Sequence, residues 1–157
     1  MRNLFIFIFI FTYAFSMRLS AINLEQLELE DGFEISIFAD NLDAPRQMVE
    51  GENGTIFVAE RGGQILALID ADKNGQIDSK IIVAKDLTLS TGLSIFDGSL
   101  YFSEISKIWK IINIEEWLRN QTDINELPNK NLVIDGLPDD TWHGWKWLQH
   151  DEQGRLH

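Results

Sequence analysis

Hydrophobic and polar positions alternate along this chain in three distinct ways. Residues 4–11 are an unbroken run of Leu, Phe and Ile, continued by Thr12-Tyr13-Ala14-Phe15 behind a short start carrying Arg2. From Phe33 onward the apolar runs shorten to five or six residues and are separated by glycine turns. Residues 33–38, Phe-Glu-Ile-Ser-Ile-Phe, alternate in the period of a half-buried strand, whereas residues 65–69 are apolar throughout, as in a strand covered on both faces. One stretch breaks the rhythm: Ile114-Glu115-Glu116-Trp117-Leu118-Arg119 predicts a short surface helix inserted in a loop and closed by Pro128.

The strand runs belong to a repeat. Residues 41–48 lead to a turn at Glu52-Asn53-Gly54 and the run Thr55-Ile56-Phe57-Val58-Ala59-Glu60; residues 86–93 lead to Asp97-Gly98 and Ser99-Leu100-Tyr101-Phe102-Ser103-Glu104. A third unit starts at Gly136-Leu137-Pro138, passes through His143-Gly144-Trp145-Lys146-Trp147-Leu148, turns at Glu152-Gln153-Gly154 and reaches His157. Gly54, Gly98 and Gly154 are 44 and 56 residues apart, and Glu60 and Glu104 each follow their glycine by 6. A period of about 40 to 50 residues built from hairpins predicts an all-β fold of four-stranded propeller blades. Closed propellers use roughly four to eight blades, and this chain supplies about two to three, the last interrupted at His157. Residues 22–157 are therefore expected to be the N-terminal part of a β-propeller domain, or the product of a truncated gene.

The leading segment reads as a secretory signal over residues 1–21, with small residues placing cleavage near Ser16 or Ala21. Its apolar run is shorter than the roughly 20 residues of a membrane helix; the alternative is an uncleaved anchor, the one case in which a membrane is involved. Both put the remainder outside the cytoplasm, in the periplasm or the medium. The 13 basic and 25 acidic side chains leave a net charge of -12, which opposes binding to nucleic acid. With no cysteine, disulfides, thiolate metal sites and a cysteine nucleophile are excluded, and the absence suits an exported bacterial protein. Any chemistry then uses oxygen and nitrogen groups or a bound cofactor.

Five segments, in order, carry a resemblance: Gly32-Phe33-Glu34-Ile35-Ser36-Ile37-Phe38-Ala39, Ala44-Pro45-Arg46-Gln47-Met48, Gly54-Thr55-Ile56-Phe57-Val58-Ala59-Glu60-Arg61, Ile69-Asp70-Ala71-Asp72-Lys73-Asn74-Gly75 and Trp142-His143-Gly144-Trp145-Lys146. Together they resemble the start of the sorbosone/glucose dehydrogenases, exported six-bladed propellers that use pyrroloquinoline quinone (PQQ). The resemblance implies a sugar or aldehyde substrate, a cytochrome as possible electron acceptor, and His143 as the general base that takes the proton of the sugar hydroxyl. Imidazole suits that task because it titrates near neutral pH. The chain departs from the soluble glucose dehydrogenases at Trp142, where they carry an acid, and at Ser90-Thr91, where they place a glutamine. Two alternatives stand beside this reading: a non-catalytic propeller module that presents loops to a partner or polysaccharide, and a metal-dependent sugar lactonase.

Asp70, Asp72, Asn74 and Asp78, around Gly75, match most of an oxygen-rich calcium loop, although Ile81 stands where a bidentate glutamate would close it. An acidic hairpin turn is the competing account. His143, His150 and His157 recur every seven residues without a carboxylate at ligand spacing, so no metal is expected there. Arg46 and Arg61 could meet an anion, or pair at the surface with Glu60 or Glu50. The aromatic set Tyr101, Phe102, Trp109 and Trp117 is expected to pack between blades.

Overall fold

The computed structural model describes residues 24–157, so the leading segment read as a signal lies outside the described residues. The chain divides into two compact units, 1–36 and 37–157. In the first, the described part holds a single 3₁₀ turn, Leu24–Gln26, closed by the Leu27 amide donating to the Leu24 carbonyl at 3.1 Å.

The second unit contains two four-stranded antiparallel meanders. One runs β1 (Pro45–Glu50), β2 (Ile56–Glu60), β3 (Gln64–Ile69), β4 (Ser79–Ala84); the other runs β5 (Leu93–Phe96), β6 (Ser99–Ser103), β7 (Ile108–Ile111), β8 (Asn131–Ile134). A third unit begins as the hairpin from Gln149 to His157, bridged at His150 and Leu156. Its turn repeats the first one bond for bond. Gly54 donates to the Gly51 carbonyl and Gly51 to that of Thr55, as Gly154 does to Asp151 and Asp151 to Arg155. Both turn glycines have positive φ, 87° and 77°, which side chains with a Cβ rarely adopt. The Asp97-Gly98 turn, with φ of 47° and 66°, is the tight left-handed form favoured in two-residue hairpins. The architecture is thus all-β, two propeller blades and the start of a third.

The first sheet is buried on both faces. Phe57 and Ala59 of β2 and Ile65 and Ala67 of β3 pack with Leu93, Leu100, Phe102 and Ile111 of the second sheet in one continuous core. On the opposite face of the first sheet, Val58, Leu66 and Leu68 are covered by Phe38, Ala39 and Leu42. The two carboxylates singled out by the repeat act alike. Glu60 Oε1 accepts the Asp43 amide at 2.6 Å and Glu104 Oε2 accepts the Thr88 amide at 3.0 Å, so each fastens the loop that leads into its sheet.

Two expectations are corrected. Residues 33–38 form no strand: Phe33, Ile35 and Ile37 are 69%, 45% and 46% exposed. Alternation specifies a strand only where a sheet edge takes its hydrogen bonds and a face covers its apolar side. The helix, α1 (Ile114–Asn120), is not merely a surface insertion. Ile114 and Leu118, four residues apart on one face, are buried in the main core. Its Glu115 accepts the Thr55 hydroxyl at 2.9 Å and the Asn53 amide at 3.3 Å, tying α1 to the first turn of the other sheet. The helix ends at Gln121, where the backbone turns extended, well before Pro128.

Candidate functional site

Residues 145–148 of the third unit run beside the first strands of both sheets, held mainly through backbone groups. Gln47 of β1 donates through Nε2 to the Leu148 carbonyl at 3.2 Å and accepts the Leu93 amide on Oε1 at 3.0 Å, joining all three units. The Lys146 carbonyl accepts the hydroxyls of Thr91 and Ser103 at 3.2 and 3.0 Å. Gly92 is needed opposite it, because a Cβ there would collide with that carbonyl. Thr91, which stands near the place of the family's glutamine, is therefore occupied in positioning the third unit.

Ahead of this segment the backbone makes a tight turn. The Trp142 amide donates to Asp140 Oδ1 at 2.9 Å, and Gly144 sits so close to the Asp140 carbonyl that no side chain fits. His143 between them has φ of 65°, a left-handed conformation uncommon for residues other than glycine. The turn delivers Thr141, Trp142 and His143 to the wall of a cleft of about 470 Å³, completed by Arg61, Leu89 and Trp145. His143 is exposed on this wall, its ring 6.4 Å from that of Trp145.

Two cations lie against Trp145, one of the residues that line the cleft. The guanidinium of Arg46, from β1, lies 4.4 Å from the centre of the Trp145 ring, and that of Arg61, just after β2, lies 5.7 Å from it. Cation–π stacking on indole is favourable and leaves guanidinium edges free to donate. Among the described residues, two buried side-chain nitrogens of this stack, Arg46 Nε and Trp145 Nε1, have no hydrogen-bond partner. Buried donors are almost always satisfied, so two unpartnered nitrogens side by side are unusual. The surface ion pairs considered for Arg46 and Arg61 do not form. Among the described residues the ion pairs are those of Asp151 with Arg155 and His157, and Glu60 is engaged by the Asp43 amide.

The other candidates lie elsewhere. Carboxylate oxygens of Asp70, Asp72 and Asp78 converge within 4.8 Å and could hold a cation. The turn uses those oxygens itself: Asp70 accepts the amides of Asn74 and Gly75, Asp72 the amide and side chain of Asn74, and Asp78 the amide of Ala71. It connects β3 to β4, as the hairpin account requires. The three histidines do not meet. His150 is stacked on Phe96 and tilted against Tyr101, and His157 contacts Asp151. Phe102, Trp109 and Trp117 join the core between sheets, whereas Tyr101 faces the third unit. No helix among the described residues is long and apolar enough to cross a membrane.

No protein-family model matches the chain. A protein of Borreliella burgdorferi (strain B31), described only as an uncharacterized protein, is 31% identical over 91 residues, covering 57% of this chain and 22% of its own. Among solved structures, the holo PQQ domain of a pyranose dehydrogenase from Coprinopsis cinerea superposes with a TM-score of 0.63 at 18% identity, over 80% of this chain and 29% of that one. An enzyme of carbohydrate-active family AA12 from Trichoderma reesei, in its iodide structure, gives 0.62 at 20% identity over 79% and 31%. A Thermus thermophilus protein described as a putative oxidoreductase (glucose dehydrogenase) gives 0.51 at 15% identity over 74% and 37%. The chain thus spans about a fifth of the curated relative and about a third of the solved chains. At these identities the likeness establishes the fold alone, that of a β-propeller.

Proposed function

We propose that these blades belong to an exported PQQ-dependent dehydrogenase of the sorbosone/glucose dehydrogenase family, acting on a sugar or aldehyde. The observation that carries the reading is the Arg46–Trp145–Arg61 stack, with Arg46 Nε and Trp145 Nε1 buried and unpartnered, beside His143 on this fold. PQQ is a planar aromatic tricarboxylate. An indole face, two guanidiniums and buried donors without acceptors are the complement of such a group, so the residues present fit it. Arg46, Arg61 and Trp145 would hold it, and in a chain of net charge -12 the two cations supply the local positive field an anionic cofactor needs.

When bound, the quinone supplies a two-electron acceptor for the hydride that leaves the substrate C–H, the C–OH carbon becoming a carbonyl. The chain's own contribution is positional and acid–base. His143 takes the hydroxyl proton onto its imidazole as the C–H bond breaks. The Asp140–Gly144 turn fixes where that ring stands, and the Gln47, Thr91 and Ser103 contacts fix the turn's anchor on the two sheets. Oxygen ligands at the Asp70 turn would let calcium stiffen that hairpin without taking part in the reaction. The leading segment would direct export, and a cytochrome would be a suitable acceptor of the electrons.

The test uses the full-length protein with added PQQ, following tryptophan quenching for binding and dye reduction with aldoses for turnover. Arg46→Ala is expected to weaken PQQ binding about tenfold or more, from loss of a charge-assisted contact. His143→Ala should leave PQQ affinity intact and lower kcat about 10²- to 10⁴-fold, the usual worth of a positioned base. No quenching by micromolar PQQ would defeat the cofactor assignment, and an undiminished kcat would remove His143 from the reaction.

A further inference from the structure

We infer that Trp142 is the residue that selects ring-shaped sugars, a platform on which a pyranose stacks beside His143; the inference rests on the dehydrogenase reading above. Trp142 is 80% exposed and lines the same cleft as Arg61, Thr141 and His143. Indole is among the side chains most strongly favoured by removal from water, and one left this open on the wall of a cleft is poised to be covered by a ligand. Its backbone is held for the purpose. The Trp142 amide is bound by Asp140 Oδ1, and the next two residues are pinned by the left-handed backbone at His143 and the close approach of Gly144 to the Asp140 carbonyl. In an extended strand consecutive side chains point to opposite sides. The turn instead lets two consecutive residues, the platform and the base, line one cleft.

The chemistry of the site then selects the ligand. A pyranose ring presents a face of axial C–H groups and an edge of hydroxyls. The C–H hydrogens carry the partial positive charge that the negative face of an indole attracts. The edge requires hydrogen-bond partners, which the Thr141 hydroxyl and the Arg61 guanidinium offer from the same walls. Small acyclic aldehydes have no such face and gain nothing from Trp142. Trp147, also exposed, does not line the cleft and carries no such role.

The experiment is steady-state dye reduction by the full-length protein reconstituted with PQQ, comparing D-glucose and D-mannose with propanal, which reacts as its hydrate and so offers a hydroxyl without a ring, in wild type, Trp142→Ala and Trp142→Phe. PQQ affinity is measured separately by titration. Trp142→Ala is expected to raise KM for both sugars tenfold or more with kcat within about twofold, to leave KM for propanal and the affinity for PQQ unchanged, and Trp142→Phe to recover most of the sugar affinity. An equal rise in KM for sugars and propanal, or lost PQQ affinity with unchanged sugar KM, would overturn it, the first marking a structural residue and the second a cofactor contact. If no PQQ-dependent turnover exists, the dehydrogenase reading has failed, and the platform is judged by saturation-transfer NMR of D-glucose on the ligand-free protein. Signal lost in Trp142→Ala supports it; equal signal in variant and wild type refutes it.

Discussion

The face that β2 presents to the second sheet and the face that β6 presents to the third unit occupy the same place in successive repeats, yet they are built from different materials. Phe57 and Ala59 on β2 are buried among Leu, Ile and Phe side chains. Their counterparts on β6, Tyr101 and Ser103, meet the ring of His150 and the carbonyl of Lys146. Around them Ser94 bonds His150, and Thr91 bonds the Lys146 carbonyl. An apolar face is tolerant of small sliding motions because its attraction has no direction. A hydrogen-bonded one fixes its partner's position, because each bond weakens steeply with misalignment. The directional interface is the one that carries the segment of Trp142, His143 and Trp145. The first interface supplies stability and the second supplies placement.

The sharpest way to break that division is to remove the largest apolar side chain from the first interface. Phe57 is fully buried, and Phe57→Ala is expected to cost about 3–5 kcal/mol, the usual sum of lost transfer energy and residual cavity. Denaturant unfolding followed by tryptophan fluorescence measures it. A loss under about 1 kcal/mol would mean that the sheets separate or refill without penalty, and the apolar face would lose its claim to be the stabilising one.

Much of this contrast was legible in the sequence, and its limits have physical causes. The turn glycines Gly54, Gly98 and Gly154, the strands between them and the paired acids Glu60 and Glu104 are all local signals, set by backbone conformation and by spacing. His143 was singled out by the resemblance alone, and the structure puts it on the wall of a cleft. What escaped is long-range. Gln47 reaches Leu93 and Leu148, 46 and 101 residues away, and nothing in its neighbours announces either bond. Arg46 and Arg61 were visible as candidate anion ligands, but that both lie over one indole depends on how the third unit docks. Residues 33–38 failed in the opposite sense: the alternating pattern was strong and no sheet edge received it. The Ile114 and Leu118 pair, four apart, was the available sign that α1 buries a face.

A smaller effect is expected from making the second interface resemble the first at one atom. Ser103 aligns with Ala59, and its hydroxyl accepts the Gly92 amide at 2.8 Å while donating to the Lys146 carbonyl at 3.0 Å. Ser103→Ala leaves the buried Gly92 amide without its acceptor, for a cost of about 1–3 kcal/mol. The revealing readout is the effect on PQQ binding, which should weaken more than the same loss of stability produces in Phe57→Ala. Equal binding in the two variants would show that hydrogen bonding here does no more for placement than packing does.

The smallest expected effect is a pH dependence carried by His150. Ser94 Oγ accepts the His150 amide at 3.2 Å and shares a second hydrogen bond with the ring Nδ1 at 2.8 Å. Burial between Phe96 and Tyr101 pushes the His150 pKa below 6.5; Asp151 opposes the shift, and Lys110 and His157 reinforce it. The stability contributed by neutral His150 is therefore full above pH 6.5 and declines as pH falls toward the lower folded-state value, because only the unfolded chain takes up the proton readily. Asp151 does not confuse the window: the Arg155 backbone amide, aided by its guanidinium and by His157, holds its carboxyl at about 2 despite the opposing effect of burial. His150→Phe keeps the stacking and removes the titration, at a cost near neutral pH of about 1 kcal/mol for the lost hydrogen bond. Melting temperatures of the two proteins should then converge as pH drops from 6.5 to 5, because wild type alone acquires the penalty for a buried imidazolium. Parallel curves over that range would mean that the second interface accepts a charged ring, and that its geometry is set by the backbone bonds to Lys146 and Leu148 without His150.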